Sequence, residues 1–149
     1  MGLNIDSIIS LVKILKQNIF DEKEFNRFIK TKGTKGFLEY QKNMGKGLII
    51  KNMREELIRV VLKKDYRDKY EFYLIKKNIE KVNDDIHYIK ENENLIIAKA
   101  LKEVYKIVPK DMNVSSNIYL YVGGIDGGFT IDRKKVFINY GKYIGNREE

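Results

Sequence analysis

The sequence predicts an α+β fold: an α-helical bundle over residues 1–109, then a three-stranded antiparallel β-meander over residues 110–149. Three observations carry this expectation. Apolar residues ahead of Pro109 recur at helical spacing. That proline is the only one in the chain and divides it into two unlike parts. Beyond it, apolar residues fall in short β-branched and aromatic runs separated by glycine or charge. At 149 residues the chain has the length of one domain.

The first helix is expected from the stripe Ile5, Ile8, Ile9, Val12, Leu15 and Ile19, with Asn4 or Asp6 as its N-cap. Asp21 followed by Glu24 forms a capping pair for a short second helix carrying Phe25, Phe28 and Ile29. Gly33 and Gly36 break the pattern, and Phe37, Leu38 and Gln41 read as one or two further helical turns. After the joint at Gly45 and Gly47, Met53, Leu57, Ile58, Val61 and Leu62 give the next stripe. Tyr66, Tyr70, Tyr73, Leu74, Val82, Ile86 and Ile89 continue as one long helix. Leu95, Ile97, Leu101, Val104, Tyr105 and Val108 make the last helix, stopped by Pro109. Three strands follow, at 118–122, 129–132 and 136–140, and their short spacing implies antiparallel neighbours. At the C-terminus, Asn146 and Glu149 read as the N-cap and capping-box partner of a helix whose remainder is not in the sequence.

Composition excludes more than it selects. Zero cysteines remove a disulfide framework, Cys-ligated zinc and a thiol nucleophile. A single histidine removes any site in this sequence that needs two. No apolar run approaches the roughly 20 residues that span a bilayer, and the opening Met1-Gly2-Leu3-Asn4-Ile5-Asp6 has no basic leader, so no membrane and a cytoplasmic location are expected. The net charge of +8 is spread over the whole chain and comes from 23 Lys against 6 Arg, so it reads as a solvated lysine surface rather than a nucleic-acid stripe.

No constellation inside the chain supports catalysis. Gly123, Gly124, Gly127 and Gly128 run from strand to strand, without the helix N-terminus or the spacing of a phosphate loop. His87 and Glu91 are four apart on one helix face but lack a second histidine, and read as a surface histidine with an ion-pair neighbour. Asp126 and Asp132 flank a short strand and read as turn aspartates. Tyr66, Tyr70 and Tyr73 read as core and rim aromatics rather than a base-stacking platform.

Three segments carry a resemblance to a known family. Ile5-Asp6-Ser7-Ile8 opens a helix that ends in Ile14-Leu15-Lys16. Residues 31–39, Thr31-Lys32-Gly33-Thr34-Lys35-Gly36-Phe37-Leu38-Glu39, look like a T-x-G-Y-x-x-x-x-E segment with Thr34 where tyrosine is usual. The run from Tyr121 to Phe129, then Val136-Phe137-Ile138-Asn139, looks like a strand pair preceding a metal-binding helix. Together they resemble the N-terminal, non-catalytic portion of predicted zinc-dependent proteases of the gluzincin type.

In such proteins the next helix bears H-E-x-x-H, whose two histidines bind zinc while the glutamate acts as general base. That motif is absent from this sequence. The resemblance therefore implies a scaffold half that is inert alone and holds no catalytic residue, metal or cofactor, zinc being implied only for a complete relative. It also implies a substrate-binding edge strand at Gly124, Asp126, Gly127, Gly128, Phe129 and Thr130, pairing with an extended peptide. A bare sheet face beside the absent helix would favour a homodimer. The alternative expectation is a self-sufficient module that binds protein or nucleic acid.

Overall fold

Residues 2–109, 116–132 and 134–147 are described by a computed structural model. A two-residue strand β1, Leu3–Asn4, leads into helix α1, Asp6–Leu15. Helices α2 (Glu22–Lys30), α3 (Lys32–Asn43), α4 (Ile49–Leu62), α5 (Phe72–Lys77) and α6 (Ile79–Val104) follow. Strands β2 (Asn117–Tyr121), β3 (Gly128–Ile131) and β4 (Lys135–Asn139) then precede a 3₁₀ turn at Tyr140–Lys142. The α+β class expected from the sequence fits this arrangement.

The three-stranded antiparallel meander is overturned. The sheet has four strands in the order β1-β2-β4-β3. β1 and β2 are parallel, β2 and β4 are parallel, and only β3 and β4 are antiparallel. The chain leaves β2 through residues 122–127 and skips a place in the sheet. It then turns at Asp132, whose φ is 55°, and β4 fills the vacant place. A skipped place is roughly two strand spacings wide, about 10 Å, which six residues cross and a two-residue hairpin turn does not. The fourth strand, β1, escaped the sequence reading because two residues carry no alternation.

Local chemistry explains several of the helix boundaries. Asp21 caps α2, its carboxylate accepting from Lys23 N at 2.9 Å and Glu24 N at 3.3 Å. At α1 the N-cap is Ile5, without a side-chain bond, while Asn4 Oδ1 accepts from Asp6 N across the strand-to-helix turn. The long helix expected through Tyr66 and Tyr70 is broken instead. Buried Asp68 accepts from the N–H groups of Tyr70, Phe72 and Tyr73 at 2.9–3.2 Å and turns the chain into α5. The two stretches expected after residue 79 merge in α6, with a kink at Asn92 whose side-chain amide donates to Tyr88 O at 2.9 Å. That helix ends at Val104, ahead of Pro109.

Gly33 and Gly36 do not break a helix, as the sequence suggested, but lie inside α3. A Cβ on Gly33 would fall 2.2 Å from Leu120 O, and one on Gly36 would fall 2.0 Å from Phe137 Cε1. The missing side chains let α3 lie against β2 and β4. One core joins helices and sheet, with Leu11, Phe28, Leu57, Phe72 and Val82 meeting Tyr121 and Phe137.

Candidate functional site

The candidate edge residues come together on β3 and the loop that leads into it. β3 ends the sheet, pairing with β4 on one side and with no strand on the other among the described residues. Its register sets Gly128 against Ile138, Phe129 against Phe137 and Thr130 against Val136. Strand alternation sends Phe129, Phe137, Tyr119 and Tyr121 to the face that carries α3. There Phe129 stacks on Tyr40 at 4.3 Å and on Phe137 at 4.7 Å. One side of the strand is thus anchored by rings, while Gly128 and Thr130 are exposed.

The glycine-rich loop before β3 is held by a residue that the sequence reading passed over. Buried Asn139, the last residue of β4, donates from Nδ2 to Gly123 O at 2.9 Å, Asp126 O at 3.0 Å and Gly124 O at 3.3 Å. Its Oδ1 accepts from Gly141 N, and its own N–H donates to Gly127 O at 2.9 Å. One side chain therefore satisfies carbonyls that cannot pair in the sheet. Asp126 is exposed and its carboxylate receives the Tyr40 hydroxyl at 3.4 Å. Burial pushes the Tyr121 phenol well above its usual range, helped by the negative charge of Asp126.

A second constellation fastens residues 140–147 to α6. Asp85, buried at 6% exposure, accepts from the Tyr140 hydroxyl and from Gly145 N at 2.8 Å. Arg147 Nε lies 3.7 Å from the other Asp85 oxygen, and its guanidinium covers the Tyr88 ring at 4.5 Å. Burial, then the Asp85 hydrogen bond, drives the Tyr140 phenol far above its ordinary range. An open apolar groove of about 230 Å³ lies beside this latch, between Ile89, Ile96 and Ala100 of α6 and Leu3, Ile118 and Ile138 of the sheet. Sequence held a signal for Asp85: it is a carboxylate set on the apolar stripe between Val82 and Ile89. Asn139 had none, because its partners are carbonyls of a distant loop.

The remaining sequence candidates are not assembled. His87 and Glu91 both face solvent on α6. Asp126 and Asp132 stand before and after β3, roughly 20 Å apart by strand rise. Among the described residues no group of three His, Cys, Asp or Glu side chains could hold a metal. The described residues therefore do not assemble a set that fits a catalytic zinc. No described helix is long and apolar enough to cross a membrane. The helix start expected at Asn146 to Glu149 includes Glu148 and Glu149, which lie outside the described residues.

Neither the curated proteins nor the solved structures contain a match to this chain. A family model does match, over residues 25–149, from the middle of the first aromatic helix through the whole β2-β3-β4 unit and its latch. The family is described as "Putative zinc dependent peptidase (DUF5700)", and this chain belongs to it.

Proposed function

We propose that these residues are the non-catalytic scaffold of a zinc-dependent peptidase, inert without metal ligands supplied from outside them. The observation that carries the reading is the β3 edge, which has no strand partner on its outer side among the described residues, in a member of a family described as "Putative zinc dependent peptidase". The single histidine of the sequence supports the scaffold role, since a zinc helix of the H-E-x-x-H kind needs two. In this role Gly124, Asp126, Gly127, Gly128, Phe129 and Thr130 lay an extended peptide along β3, edge N–H and C=O groups pairing with those of the peptide. Asn139 keeps the loop from folding over that edge. The absence of cysteine supports a cytoplasmic setting. Two copies associate through the sheet face lined by Ile118 and Ile138, which sedimentation across a concentration series tests; a monomer throughout overturns that part.

Dialysis against zinc followed by metal analysis is expected to leave well below one zinc per chain. Incubation with a casein digest is expected to leave the peptides intact while slowing amide exchange at residues 128–131. Retained stoichiometric zinc with chelator-sensitive hydrolysis overturns the scaffold role. Unchanged exchange at 128–131 overturns the peptide edge. Protection by folded proteins but not by peptides favours the alternative, a self-sufficient interaction module.

A further inference from the structure

A depression of about 380 Å³ lies where α4 ends and the chain turns into α5. Lys63, Lys64, Arg67, Lys76 and Lys77 line it, against one carboxylate, Asp65. None of the five cations has a carboxylate within ion-pair distance among the described residues. Among the described lysines only Lys106 and Lys142 are bridged to an acid, so the arginine is the distinctive member of the set. Arg27, Arg54, Arg59 and Arg147 are each paired with an acid, and Arg67 is the one described arginine that is not.

Three of the five cations are also held in place. Lys63 Nζ sits 5.5 Å over the Tyr66 ring, and the Arg67 guanidinium 5.8 Å over the Tyr73 ring. Lys76 Nζ donates to Val60 O at 2.7 Å and Lys63 O at 3.2 Å. It thereby neutralises the carbonyl end of α4, which would otherwise repel an anion. Side chains already restrained by rings and carbonyls lose less freedom when they bind.

We propose that this depression is a binding site for a small multiply charged anion, a phosphate ester or polyphosphate. A monovalent carboxylate would leave most of the positive charge uncompensated. The volume lies within the roughly 300–1,000 Å³ typical of small-ligand sites, and its concave shape suits a compact ligand better than a long strand. The rings of Tyr66 and Tyr73 give the uncharged part of an ester an apolar wall. The proposal is independent of the peptidase reading, since the depression contains no part of β3 or its loop.

Inorganic pyrophosphate titrated into the full chain at low salt tests it, followed by amide chemical shifts. Saturable binding of one pyrophosphate, with shifts centred on residues 63–67 and 73–77, is expected. The triple variant Lys64→Ala, Arg67→Ala, Lys77→Ala removes no hydrogen bond or ion pair among the described residues, only the Arg67 contact with the Tyr73 ring, and should bind at least about tenfold more weakly. A charge-matched variant, Lys30→Ala, Lys42→Ala, Lys99→Ala, alters exposed lysines elsewhere and should bind as the parent does. Scattered unsaturable shifts, or equal losses in both variants, would reduce the effect to general charge and overturn the site. Binding of a 20-mer DNA that strengthens with length and outcompetes pyrophosphate would overturn the small-anion assignment in favour of nucleic acid.

Discussion

Gly36 of α3 and Phe137 of β4 stand so close that a β-carbon on Gly36 would lie 2.0 Å from Phe137 Cε1. The ring cannot retreat, because Phe137 is also stacked between Tyr119 at 5.1 Å and Phe129 at 4.7 Å. Helix, central strand and edge strand are thereby tied through one absent side chain.

Gly36→Ala is expected to destabilise the protein by about 1–3 kcal/mol through overpacking, outweighing the ~1 kcal/mol that alanine gains in a helix. Gly33→Ala meets the unyielding backbone carbonyl of Leu120 and should cost at least as much. Gly47→Ala faces open space and should change stability by less than about 0.5 kcal/mol. Urea unfolding of the three variants checks the order.

Asn139→Ala removes the donor shared by three loop carbonyls and should cost about 2–4 kcal/mol. Amide exchange in residues 123–128 should accelerate well beyond that in α4. Asn139→Asp places a carboxylate against those carbonyls at neutral pH. Its folded form favours the protonated acid, so stability should recover as pH falls through the carboxylate range. Recovery on raising the pH instead would refute the clamp.

Asp85→Ala leaves the Tyr140 hydroxyl buried without its acceptor and releases Gly145 N, an expected loss of about 3 kcal/mol. Asp85→Asn keeps one oxygen for both donors and should lose less. Exchange at residues 140–147 should rise in the alanine variant while α2 stays protected. Equal exchange in both variants would show that the segment is held by other contacts.

Burial, followed by the charges of Glu56 and Asp68, pushes the Tyr70 phenol up to about 12, and Tyr121 and Tyr140 are shifted further in the same direction. The fold favours the neutral phenols, whereas unfolded tyrosines ionise near their ordinary value of about 10. Stability from these groups is therefore complete below about pH 10 and declines as pH rises above it. Tyrosinate absorbance should stay below that of the unfolded chain until the protein unfolds. Tyr70→Phe should flatten the alkaline decline.

Much of the secondary structure was legible locally. Asp21 announced the start of α2, the aliphatic stripe of α1 announced its buried face, and all three strands after residue 116 lie where β-branched and aromatic runs placed them. The substrate edge proposed at Gly124, Asp126, Gly127, Gly128, Phe129 and Thr130 rests on the family resemblance, and the sheet order shows only that β3 has one strand neighbour among the described residues. The errors share a cause. Asp68 broke a helix by bonding backbone N–H groups near it, and the glycines of α3 stayed helical because a sheet lies against them. Neither event changes the periodicity of the chain.

The sequence by itself determined the α+β class and most of the helical and extended segments, since these depend on residue type and near spacing. The tertiary structure alone decided that β4 lies between β2 and β3, that β1 joins the sheet, and that Asn139 and Asp85 hold the loop and the C-terminal segment. Strand order depends on which edges meet after the helices pack, and a polar clamp exists only once distant carbonyls or donors have been brought around it.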